Sequence, residues 1–152
     1  MAYTTADGRQ QLLDTLAQAT DELGLALVSL TEAYELLDES TADRLEQELF
    51  RPVQTAYGRA KRTHAEFAER HGLAGRTFAP AVPGAPSRGV RGFIDSAVQA
   101  VADADAALAT LQDSMLPVEV GDPQLRRGLE EVRSLLTDLG ARARELVRTL
   151  GR

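Results

Sequence analysis

The chain has no cysteine, no tryptophan and only one lysine, Lys61. Without cysteine there is no disulfide, no thiolate nucleophile and no sulfur-bound metal. Aromatic residues make up only 5% of the chain, so the core has to be aliphatic, chiefly Leu, Val and Ala. That composition favours helices over sheets. No apolar run approaches the roughly 20 residues that a membrane-spanning helix requires. The opening "MAYTTADGRQ" lacks a basic region followed by an apolar one, so no secretory signal is expected and the chain reads as cytoplasmic. Arginine in place of lysine, with abundant alanine, suggests a GC-rich bacterial genome, which bears on origin and not on function.

What is present is a strong helical pattern. A length of 152 residues suits one domain with a real core, residues 1–152. Leu12, Leu16, Ala19, Leu23, Leu27, Leu30, Tyr34 and Leu37 recur at steps of three and four, predicting a first helix over about 5–38. Ser40 or Thr41 can cap a second helix, over about 41–71, with the seam Leu45, Leu49, Val53, Ala56, Ala60, His64 and Phe67. Pro52 lies inside it, which predicts a kink or break near 48–52. A third helix, from about Ser87 to Asp113, carries Val90, Ile94, Ala97, Val101, Ala104, Leu108 and Leu111, with Met115 just beyond. "GDPQL" starts a fourth, with Asp122 as cap and Pro123 in its first turn. Its seam runs Leu125, Leu129, Val132, Leu136, Leu139, Ala143, Leu146 and Leu150. Four apolar-striped helices imply an all-α four-helix bundle.

Residues 72–88, "GLAGRTFAPAVPGAPSR", form the one long irregular connection. Pro80, Pro83 and Pro86 recur at the three-residue period of a polyproline strip. Seventeen such residues reach about 50 Å, against about 45 Å for a thirty-residue helix. The connection can therefore cross the bundle, leaving the second and third helices parallel, or fold back over one end. "PAVPGAP" reads as a spacer pinned by Phe78 and Val82 rather than as a ligand for another domain.

The net charge of −6 argues against non-specific nucleic-acid binding. Residues 14–48 hold ten acids and only Arg44, and residues 51–91 hold eight bases against Glu66 and Glu69. Residues 92–122 hold six acids and no base, and residues 123–152 hold seven arginines against four acids. Acidic and basic segments thus alternate and can face one another in a bundle.

Candidate sites are few. The two histidines, His64 and His71, lie seven residues apart, about 10.5 Å along one helix, too far to share an ion. His64 falls on the apolar seam as a polar core residue, and His71 at the helix end, where a cation complements the dipole. A di-iron bundle needs Glu-x-x-His motifs, and none is present. No nucleophile motif or phosphate loop is found. No metal, cofactor, nucleic acid or membrane is therefore expected, and enzymatic activity is not favoured.

"GAPSRGVRG" (84–92) is the least bland polar stretch: Arg88 and Arg91 flank a predicted helix start, and Arg76 can join them to hold an anion. That makes a small anionic-ligand binder or enzyme, with His64 nearby, the alternative function. The favoured one rests on "LGLALVSL" (23–30), apolar almost all round the helix. Leu25 and Val28 lie off the seam, which points to a homodimer or a protein partner.

Overall fold

In a computed structural model of the chain, residues 5–79, 82 and 89–150 are described. Their regular structure is all helical, with no strand among the described residues. The helices are α1 (Thr5–Glu35), α2 (Glu39–Leu45), a π-helical turn (Glu46–Phe50), α3 (Arg51–Arg70), α4 (Gly89–Asp113), α5 (Leu116–Val120), α6 (Pro123–Leu136) and α7 (Leu139–Leu150). No helix among the described residues is long and apolar enough to cross a membrane.

Several boundaries differ from the sequence pattern, each for a local reason. The cap of α2 is Asp38, not Ser40 or Thr41: its carboxylate accepts from the Thr41 amide at 2.8 Å. Just before Pro52, where a kink or break is expected, the α-helix gives way to one wide turn between α2 and α3. The backbone stays right-handed helical through Leu45, Phe50 and Arg51, and the disturbance is absorbed in the wide turn Glu46–Phe50. Proline has no N–H for the Glu48 carbonyl four residues earlier. Arg142 of α7 donates to that carbonyl instead, at 3.2 Å.

The predicted fourth helix is two helices. Asp138 takes a left-handed φ of 68° and ends α6, although the apolar steps run on unbroken into α7. The third ends at Asp113, after which Met115, at φ 65°, turns the chain into short α5 and is left 53% exposed. At the end of α3 the Gly72 amide donates to Glu69 and the Leu73 amide to Ala68, with Gly72 at φ 67°. This paired closure is what a glycine just past a helix end permits.

The core is aliphatic. Leu12, Leu16, Leu23, Leu45, Val53, Ile94, Leu108, Leu125, Leu129 and Leu146 are fully buried, with Phe67 and Phe93 the buried aromatics. Helix α1 packs chiefly on α4 and also on α3, which packs in turn on α6. Gly8 faces Leu116 and Val120, while Leu30 shares a core gap with Ala97, Val98 and Val101, so α1 and α4 are antiparallel. Leu30 also meets Leu49 and Val53, and Gly24 meets the Tyr57 ring, so α1 is antiparallel to α3 as well. Helices α3 and α4 therefore run the same way, and the chain between them joins opposite ends of the fold.

Charge does not choose the neighbours. The acidic α1 packs most on α4, the other acidic element, and the basic α3 on arginine-rich α6. Opposite charges meet at particular points: Arg59 with Glu131 at 2.6 Å, Arg133 with Asp105 at 2.9 Å and Arg76 with Asp21 at 2.9 Å. Where acids meet, burial, with Asp103 of α4 and Asp21 beside it, pushes the Glu22 carboxyl up from its ordinary value.

Candidate functional site

His64 sits one turn beyond Ala60 and three residues before Phe67, on the buried face of α3. It is 2% exposed, and its Nδ1 is buried with no hydrogen-bond partner. The ring is covered by Phe78 of the connection, edge to face at 5.1 Å between centroids. The Arg76 guanidinium lies over the other ring of this stack, 4.6 Å from the Phe78 centroid, and its Nη2 donates to Asp21 of α1 at 2.9 Å. Residues 72–79 thus lie as a strap across α1 and α3. Val82, the other proposed anchor, is instead exposed.

Burial pushes the His64 imidazole below its ordinary value, and the positive charge of Arg76 acts in the same direction; Asp14 and Asp21 oppose them. Burial and Arg76 thus both favour the neutral form of the imidazole. Among the described residues, none is hydrogen-bonded to its Nδ1.

The second polar cluster ties α3 to α6. Asp122, 4% exposed, caps α6 by accepting from the Leu125 amide at 2.9 Å, as the sequence predicts. Its other oxygen takes Arg70 Nη2 at 2.8 Å and lies 2.9 Å from His71 Nε2. Burial alone raises the Asp122 carboxyl, but hydrogen bonds from Leu125, His71 and Arg70 outweigh it and hold the group below its ordinary value. Every partner here is accounted for by joining two helix ends. Among the other buried polar residues, Thr20 and Thr63 donate to the carbonyls of Leu16 and Arg59 on their own helices.

Of the basic residues singled out from the sequence, Arg76 and Arg91 are described, and they stand apart. Arg76 is taken up by Asp21 and Phe78, level with the middle of α1. Arg91 is exposed in the first turn of α4, beyond the level where Leu30 meets Ala97 and Val101. At 1.5 Å per residue these levels differ by on the order of 20 Å. Arg88 and the prolines Pro80, Pro83 and Pro86 lie outside the described residues.

No group of three or more His, Asp or Glu side chains that could hold a metal occurs among the described residues. The two proposed contact residues of α1 differ: Leu25 is 38% exposed, while Val28 is half-buried. The sequence pointed to His64 through its place on an apolar seam. It did not reveal the cover over it, because Phe78 and Arg76 carry no periodic signal that links them to α3 or α1. Compared with family models, curated proteins and solved structures, the chain matches none.

Proposed function

We propose that this chain is a non-enzymatic, cytoplasmic four-helix bundle that works by protein–protein contact, associating with a second copy of itself through the outer face of α1. The observation that carries this reading is Leu25. Helix α1 already packs on both α4 and α3, yet it leaves this leucine 38% exposed beside Val28. A helix apolar on more than two sides is completed by a partner. The polar interior supports the same reading from the other side: Asp122, Thr20 and Thr63 all hold the fold together.

Light scattering tests it. The wild-type chain is expected at twice its 16.4 kDa mass, and a Leu25→Glu, Val28→Glu double variant at the monomer mass with unchanged helical content. A wild-type chain that stays monomeric at high concentration sinks the proposal.

A further inference from the structure

We propose that residues 72–79 are a proton-released strap: the segment closes over the groove between α1 and α3 while His64 is neutral, and lets go when the imidazole takes up a proton. Three contacts hold the closed form. The Phe78 ring covers the imidazole at 5.1 Å, the Arg76 guanidinium covers Phe78 at 4.6 Å, and Arg76 is latched to Asp21 at 2.9 Å. Leu73, bonded through its amide to Ala68, fixes the near end, and Gly75, with open space around it, lies between that anchor and Arg76.

The slot suits the neutral ring better than the cation. Nδ1 is buried and has no acceptor in reach. A protonated imidazole has two N–H donors, and a charge in a dry site without a partner is strongly disfavoured. The charges that act on the ring come from two elements: Arg76 on the strap, which repels the cation, and Asp14 and Asp21 on α1, which attract it. In the closed form Asp21 is already engaged by Arg76. Lifting the strap admits water to the ring, removes the Arg76 charge and frees the Asp21 carboxylate. All three changes favour the protonated ring, so protonation favours lifting.

The direction in pH follows. Burial and Arg76 lower the closed-state value from 6.5, so the closed form binds the proton less well than the open one. The closed form holds its full advantage above about pH 6.5. It loses ground as pH falls below that value, by up to about ten-fold per pH unit, until the closed-state ring itself titrates.

The chain has no tryptophan, so Phe78→Trp places a single reporter in the strap. Between pH 7.5 and 5.5 its emission is expected to shift to the red and its quenching by acrylamide to rise at least about two-fold, with helical circular dichroism unchanged. The response is expected to vanish with His64→Gln and to persist with His71→Gln. The same transition in the His64→Gln background overturns the proposal, as does its absence in the reporter chain or a simultaneous loss of helix. In the unaltered chain, NMR titration of the His64 ring provides a check that does not depend on tryptophan fitting the slot. A value below 6.5 that moves up towards it in Phe78→Ala supports the strap, whereas an ordinary value indifferent to Phe78→Ala overturns it.

Discussion

His71 Nε2 lies 2.9 Å from Asp122 Oδ2, so the residue that closes α3 is bound to the residue that opens α6. Arg70 Nε and Nη2 reach the same carboxylate oxygen at 3.0 and 2.8 Å. One buried side chain therefore caps a helix and joins it to its neighbour. Asp122→Ala removes the cap and leaves Arg70 and His71 without their acceptor, and is expected to cost about 1–3 kcal/mol in urea unfolding. Asp122→Asn keeps the capping oxygen and should cost less.

The same site sets an acid limit. The Asp122 carboxyl is held below its ordinary 3.8 in the folded chain, so the folded state binds its proton less readily than the unfolded one. Its contribution is complete above about pH 4 and is lost as pH falls through that value to the folded one. Unfolding midpoints measured between pH 5 and 2.5 should fall less steeply in Asp122→Asn than in the wild type.

Arg142 and Pro52 are coupled through the Glu48 carbonyl. Arg142→Ala should destabilise the chain by about 0.5–1.5 kcal/mol. Pro52 stands in the first turn of α3, where proline is tolerated, so Pro52→Ala offers this carbonyl a competing N–H at a net stability change within about 1 kcal/mol. In the Pro52→Ala background the Arg142 effect should shrink, a non-additivity that a double-mutant cycle measures directly. Fully additive effects would mean that the arginine acts elsewhere.

Two helical glycines should respond in opposite ways to alanine. A Cβ at Gly128 would stand 2.5 Å from Thr63 Oγ1 and 2.8 Å from its Cγ2, where α6 crosses α3. Gly128→Ala is expected to lose about 1–3 kcal/mol from overpacking, despite the better helix propensity, and Thr63→Ala should restore much of it. Gly58 has nothing within 4 Å of the same atom, so Gly58→Ala should gain up to about 1 kcal/mol. Thermal unfolding of the three variants checks both signs.

Met115 holds a left-handed φ of 65° while mostly exposed. That conformation costs about 1–2 kcal/mol for an ordinary L-residue. Met115→Gly is expected to raise the unfolding midpoint by an amount corresponding to about 1 kcal/mol, reduced by the extra freedom of glycine in the unfolded chain.

Much of the helical layout was legible from residue spacing alone. The three-four steps of Leu12 to Leu30 and of Ile94 to Leu111 located α1 and α4, and Asp122 before Pro123 located the start of α6. The break at Asp138 was not legible, because Leu136, Leu139 and Ala143 keep the apolar step while the backbone turns between them. Nor was the direction of the connection, since its length allowed either course.

Periodicity depends only on the chain's own repeat, so the sequence by itself determined that these segments are helices and which stripe of each is apolar. Which stripes meet is a matter of packing between residues far apart in the chain, and only the tertiary structure decided it. Acidic α1 lies on acidic α4 because side-chain burial outweighs exposed charge. The imidazole of His64 was visible in the sequence, but its cover became apparent only when Phe78 and Arg76 of the connection and Asp21 of α1 were brought to it by the fold.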